Sequence, residues 1–308
     1  MPAVIETSRS RTERGQLMVA LAAVVWSTAG VMQRQLSVGV AVQVAGRAVF
    51  AAAAVAVYVA IVERGRVVEA CRSVGVAGVG FAACVAVASG SFMVALNHAS
   101  VAQVLFIQSI APVLAALLGR AVLGERLSAR TVVAMAVALL GVGIMVGSPG
   151  GGSALGDGLS VLMAFAFAGA IVIARYRRDV SMAPAVCLAQ LILLVIAAPF
   201  ALAGGVTLGA SNVLWLALLG GGQIGLGLIL LTIGARLIPA AQVALISLLE
   251  VVLGPLWVWL AVDERPSAAT IVGGAIVVAA VVLQAHEAAA SRGVEAAPAR
   301  AEAEHPPR

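Results

Sequence analysis

The sequence predicts an all-α integral membrane protein, with ten transmembrane helices arranged as two inverted five-helix repeats. Three observations predict it. The 308 residues are 62% hydrophobic and 11% charged, with a mean hydropathy of +1.09. Ordinary soluble domains are about 45–50% apolar and about 25% charged. No soluble core of this length needs such a composition, whereas a membrane protein does. The apolar residues also fall into runs of about 20, the length that crosses a bilayer. Finally, one stretch occurs twice. Ala102-Gln103-Val104 through Gly124-Glu125-Arg126-Leu127-Ser128 matches Ala241-Gln242-Val243 through Asp263-Glu264-Arg265-Pro266-Ser267 without a gap, at a shift of about 139 positions. That period is too long for a solenoid and suits a duplicated half-protein.

The elements follow in order. A polar, basic segment at 1–14 is expected as an N-terminal tail, and the apolar run after it as an uncleaved span. A cleaved signal would have a shorter apolar region leading into a soluble domain. Ten spans are expected at approximately 15–33, 40–62, 74–96, 100–122, 129–147, 157–174, 184–203, 212–232, 239–262 and 267–285. They are helices because backbone groups in lipid must be satisfied within the element. Barrel strands would show short alternating patterns instead. The first repeat covers 15–147, a glycine-rich linker 148–157, and the second repeat 158–285. The remainder, 286–308, is rich in Ala, Glu and Pro and is expected to be a disordered tail.

All 19 basic residues are arginine, and they cluster between the apolar runs. That spacing suits membrane orientation better than a phosphate-binding stripe, so nucleic acid is not an expected partner. With ten spans, the N-terminus, the even-numbered loops and the tail share one side and hold nearly all the arginines. Arg34 and Arg265 stand on the other. Positive residues accumulate in the cytoplasm, which predicts a multi-pass membrane protein with both termini cytoplasmic. Five spans per half is an odd number, so the halves insert in opposite senses: the Glu125 end is cytoplasmic and the Glu264 end faces outward. Earlier positions align more weakly, Trp26 with Phe167, Arg34 with Arg175 and Arg47 opposite Gln190. Cys71, Cys84 and Cys187 show no CxxC spacing and imply no disulfide framework.

Two ionisable residues fall inside spans, Glu250 and Arg47. Charge at the bilayer centre is costly, so such groups face a cavity or a partner. Glu250 is a candidate proton carrier or counter-charge for a substrate ammonium, and Arg47 has the geometry to bind a carboxylate. The competing reading pairs Arg47 with Glu250 as a structural link between the halves. Helical spacing puts Ser247, Gly254 and Trp257 on the face of Glu250. On span four, Gln108, Pro112, Ala115 and Gly119 form a similar stripe, and Trp26 is a further wall candidate. These residues line a cavity or pack helices; the pattern leaves both open. Gly220 through Gly225 matches GxGxxG, but it lies within an apolar span with no strand before it. Close packing through Gly221 and Gly225 is the better reading. Glu125, Arg126, Ser128 and their counterparts Glu264, Arg265, Ser267 read as helix-end fasteners, the serines being good N-caps. No metal site or cofactor is expected.

Ala95-Leu96-Asn97-His98-Ala99-Ser100-Val101-Ala102, Ala111-Pro112-Val113-Leu114-Ala115-Ala116-Leu117-Leu118 and Leu123-Gly124-Glu125-Arg126-Leu127-Ser128 resemble the EamA-type permeases of the drug/metabolite transporter superfamily. Residues 235–250 and Asp263-Glu264 look like the second domain of that family, and Arg47-Ala48-Val49-Phe50 is similar to its second helix. The resemblance implies ten helices in two inverted bundles, an inner-membrane location and export of small metabolites or amino acids. Asp263 departs from the family's usual Gly, and Val251 from the proline expected after Glu250, with Pro255 displaced downstream. The function expected is secondary transport by alternating access. Glu250, Arg47, Trp26, Gln108, Ser247 and Trp257 would line the path, with a small-molecule substrate, membrane lipid and protons as partners. A structural or partner-binding membrane protein, and an intramembrane enzyme, are the readings weighed against it. Monomer and homodimer are equally compatible with the sequence.

Overall fold

The computed structural model describes residues 2–64, 66–124, 129–145, 152–177, 179–205, 208–235, 237–238, 240–280 and 282. The described residues hold helices α1 (Pro2–Ser27), α2 (Ala29–Arg34), α3 (Val40–Glu63), α4 (Val67–Ser73), α5 (Gly75–Leu96), α6 (Val101–Gln108) and α7 (Ala111–Leu123). They continue with α8 (Ala129–Met145), α9 (Ala154–Tyr176), α10 (Ala183–Ala203) and α11 (Ala210–Ala217). A π-helical segment (Leu218–Leu226), α12 (Gly227–Ala235) and α13 (Ala240–Val262) follow, and then α14 (Ala268–Ala280). Among them no strand occurs, only an isolated bridge between Ala99 and Gly152.

Among the described residues, seven helical stretches are long and apolar enough to cross a membrane: Arg11–Arg34, Val40–Glu63, Gly75–Leu96, Val101–Val122, Ala154–Tyr176, Ala183–Ala203 and Ala210–Gly234. Shorter apolar helices at Ala136–Met145, Leu249–Val262 and Ala268–Ala280 fall on the other three expected spans.

Local chemistry explains the interruptions. Thr28 turns its hydroxyl back onto the Val25 carbonyl at 2.6 Å, and α1 gives way to α2 there. Span four breaks at Ser109–Ile110, ahead of Pro112, which has no N–H to offer the Gln108 carbonyl. Gly124 ends α7 in the left-handed region at φ 69° and Asp263 follows α13 at φ 54°. The two positions are equivalent in the repeat. Aspartate is among the few residues that tolerate this conformation, which accounts for its standing where Gly is usual.

The segment 1–14, expected as an N-terminal tail, is helical from Pro2, where α1 begins. The linker 148–157 is shortened because Ser153 caps α9, accepting from the Gly156 N–H at 3.2 Å, so helix starts at Ala154. The expected tail 286–308 lies outside the described residues.

Packing crosses between the sequence halves. α1 packs on α12 and α13, α3 on α10 and the π segment, α5 on α9 and α10, and α7 on α9. The contacts use small residues, as membrane helices do in the absence of a hydrophobic force between them. The core is rich in alanine (Ala22, Ala48, Ala82, Ala95, Ala164, Ala185), while Ile61, Val195, Leu202 and Leu260 point outward. Gly220 and Gly225, not Gly221 and Gly225, meet α3. A Cβ on Gly220 would strike the Arg47 carbonyl and the Ala51 N, and one on Gly225 would sit 2.6 Å from Ala54 Cβ. At Gly221 the nearest atom is 3.9 Å away. The π segment is the reason: its i to i+5 bonding puts residues five apart, rather than four, on one face.

Candidate functional site

Neighbours along α1 set the depth of every interior group. Gly15 lies against Leu237 and Ile238, Gly227 against Trp26, Gly254 against the Ser27 carbonyl and Leu105, and Gly30 against Val101 and Val258. Arg34 meets Glu264 at the end of the series. α13 therefore runs parallel to α1, while α6 and α12 run antiparallel to it.

At the Glu264 end, Arg34 joins the repeats. Its Nε is 2.8 Å from Glu264 Oε2, Nη1 donates to Gln33 Oε1 at 3.0 Å and to the Leu96 carbonyl, and Nη2 donates to the Ala99 carbonyl at 3.1 Å. Glu264 Oε1 accepts from the Val101 N–H at 2.6 Å, completing the first turn of α6. These groups line an open cavity of about 610 Å³ with Asn97, His98, Ser100 and Ser153. Behind it, Gln43 Oε1 accepts from Gln33 and Asn97 at 3.3 and 3.0 Å. Arg265 pairs with exposed Asp263 at 3.2 Å. Ser267 accepts from the Thr270 N–H at 3.1 Å, as an N-cap does. Glu125, Arg126 and Ser128 lie outside the described residues.

Deeper in, Arg47 is only 5% exposed. Nη1 donates to Ser89 Oγ at 2.9 Å and Nη2 to Gln223 Oε1 at 3.1 Å, and the guanidinium stands 5.6 Å from the Phe92 ring centroid. Gln223 belongs to the π segment, and Gly227, one turn on, abuts the Trp26 indole. Trp26 and Arg47 are thus neighbours through one helix. On the other side of α1, Trp257 Nε1 donates to Ser27 Oγ at 3.0 Å, so this indole reaches across to α1.

Glu250 and Ser247 lie further toward the Gly15 end, both partly exposed. Glu250 makes no hydrogen bond or ion pair among the described residues. The antiparallel run of α6 brings Gln108 to its level, and Gln108 Oε1 is buried without a partner. Arg47 and Glu250 do not pair. Gln223 lies four residues beyond Gly227 toward the Glu264 end, and Glu250 four residues before Gly254 in the other direction. Gly227 sits at Trp26 and Gly254 at Ser27, one residue further toward the Glu264 end, so at about 1.5 Å per residue the two charges differ by about 10 Å in depth. Of the six lining candidates, Trp26 and Arg47 contact residues 227 and 223 of one helical stretch, Trp257 contacts Ser27 beside Trp26, and Gln108 shares the level of Glu250. The side chain of Pro112 lies outside the description.

Sequence reasoning missed a buried network. Gln103 Nε2 donates to the Met145 carbonyl at 3.2 Å and to Asp157 Oδ1, and Thr270 Oγ1 donates to Gln103 Oε1 at 3.4 Å. It ties α6 to the starts of α9 and α14. Its signal was present: Gln103 is the polar residue of the repeated Ala-Gln-Val. Uncharged Gln43, Gln190 and Gln223 inside apolar runs were equally visible and not weighted. Among the described residues no group of three or more His, Cys, Asp or Glu could hold a metal ion. Two further cavities are lined by Cys71, Cys187, Pro184 and apolar neighbours, of about 280 Å³, and by Ser37, Asn212, Phe200 and Gly204, of about 380 Å³.

The profile of the EamA-like transporter family matches residues 13–147 and again 154–285. No curated protein matches the chain. A solved structure titled "Crystal structure of protein" is 21% identical, with a TM-score of 0.61 over 88% of this chain and 96% of that one. At that identity the likeness concerns the fold.

Proposed function

Since this chain belongs to the EamA-like transporter family, we propose that it is a secondary transporter that exports small metabolites or amino acids by alternating access. Ten crossings in two inverted repeats would place it in the inner membrane with both termini cytoplasmic. The observation that carries the reading is antiparallel pairing of equivalent helices. α3 and α10 are the second helices of the two matches. Cys187 Sγ contacts the Ala52 carbonyl, whereas Phe200 and Ala201 share a cavity with Ala41 and Val42, so the pair runs in opposite directions. α8 and α14, the fifth helices, meet in the same sense, Gly141 near Val277 and Gly273 near Met145. A twofold axis in the membrane plane produces such pairs, and in secondary transporters the substrate lies between the halves near the midplane.

The broken fourth span, the π segment and the unpartnered Gln108 and Glu250 support a path at that interface, because irregular backbone at membrane depth is tolerated where it lines a cavity. Glu250 is the group proposed to couple protons. The test is flux in proteoliposomes holding only this protein, with a mixed amino-acid and metabolite pool, with and without a proton gradient. Selective flux that responds to the gradient and falls at least tenfold in an inserted Glu250→Gln variant is expected. Flux indifferent to pH removes the coupling role of Glu250, and no flux for any compound refutes transport.

A further inference from the structure

Arg47 brings a charge into the interior and meets only neutral groups. Ser89 and Gln223 accept from its two terminal nitrogens, and Nε–H, buried, has no acceptor. No carboxylate pairs with it among the described residues, and Glu250 stands at a different depth. On α10, which packs against α3, Gln190 Oε1 is buried and unpartnered as well. An uncompensated charge in such surroundings is strongly unfavourable and marks a place where a counter-charge arrives. The bonds already made fix the geometry of what can arrive. They hold the guanidinium between a first-repeat helix and the second-repeat π segment, and leave its Nε–H without an acceptor. That edge, Nε–H with the adjoining second hydrogen of Nη2, matches the two oxygens of a carboxylate.

We propose that the cargo of this protein carries a carboxylate and that Arg47 receives it, between the two repeats; the inference rests on the transporter reading above. A lysine at this position would keep the charge and lose the fork, so charge and geometry are separable.

The experiment uses the full-length protein in detergent and in proteoliposomes. Acetate, propionate, L-alanine and L-phenylalanine are each compared with their methyl esters, and with chloride and phosphate at equal concentration. At least one carboxylate is expected to raise the melting temperature by several degrees at concentrations far above its Kd, and its ester to raise it by less than one tenth as much. Arg47→Gln should abolish the shift, and Arg47→Lys should raise the half-saturating concentration at least tenfold. If Arg47→Gln does not insert, the lysine variant alone decides. Equal stabilisation by esters, chloride or phosphate, or unchanged binding in Arg47→Lys, overturns the proposal. Flux confined to compounds without a carboxylate overturns it while leaving transport intact. Arg47-dependent carboxylate binding with no flux refutes transport and keeps the binding site.

Discussion

Removing the Arg34–Glu264 pair tests whether one bond couples the two repeats at their shared end. Both side chains are less than a third exposed, at 24% and 22%, so the pair is not the freely solvated kind that contributes about 0–1 kcal/mol. Glu264→Ala loses a charged hydrogen bond, about 1.5–3 kcal/mol, and the acceptor for the Val101 N–H, about 1 kcal/mol as for a cap. Its cost is therefore about 2.5–4 kcal/mol. Arg34→Ala loses the same bond and its bonds to Gln33 Oε1 and the Leu96 and Ala99 carbonyls, each about 0.5–1.5 kcal/mol. Only the Nε–Oε2 bond is common to both, so a double-mutant cycle isolates it at about 2 kcal/mol. Reversible unfolding in mixed detergent micelles at low and high salt is the assay. A coupling energy under about 0.5 kcal/mol, or one that disappears in salt, would refute the reasoning and return the pair to the surface class.

Gly220→Ala should destabilise by about 1–3 kcal/mol or prevent accumulation, because its Cβ meets α3 backbone that cannot yield, whereas Gly221→Ala should be tolerated. Equal melting temperatures for the two variants would contradict the π-segment register. Ser27→Ala strands the indole N–H of Trp257 in a buried contact and should cost about 1–3 kcal/mol. The further change Trp257→Phe, which removes the stranded donor, should then cost less in that background than in the wild type; equal costs would disprove the bond. In the loop between α9 and α10, the hydrogen bond from Arg177 holds the Asp179 carboxyl below the usual carboxylate range. A depressed folded pKa stabilises at neutral pH, and the contribution is lost as pH falls through that depressed value. Arg177→Gln should raise the Asp179 titration midpoint seen by NMR and remove that small neutral-pH contribution; an unmoved midpoint would exclude the interaction.

The placement of membrane-crossing helices was legible in the sequence because it depends on the mean polarity of about 20 neighbouring residues, a local quantity. The doubling was legible because it is written twice, down to the equivalent left-handed positions Gly124 and Asp263. Helix interior geometry was less so. The glycines at 220–225 announced close packing, but a four-residue period chose Gly221, and only the π segment, visible in three dimensions, moved the contact to Gly220. Glu264 and Ser267 were recognised as helix-end groups from their positions, yet Glu264 caps α6, some 160 residues earlier, and holds Arg34.

Partnership is what tertiary structure decided. Sequence located Arg47 and Glu250 inside spans and left open whether they pair. The answer depends on how far α3, the π segment and α13 slide along α1, and that offset is set by where Gly227 admits Trp26 and Gly254 admits Leu105. Those contacts part the charges by about 10 Å in depth, surround Arg47 with uncharged oxygens, and bring Gln108 level with Glu250. A one-dimensional pattern carries the polarity of each helix, but the depth and facing of its polar residues exist only once small residues have fixed how closely the helices approach.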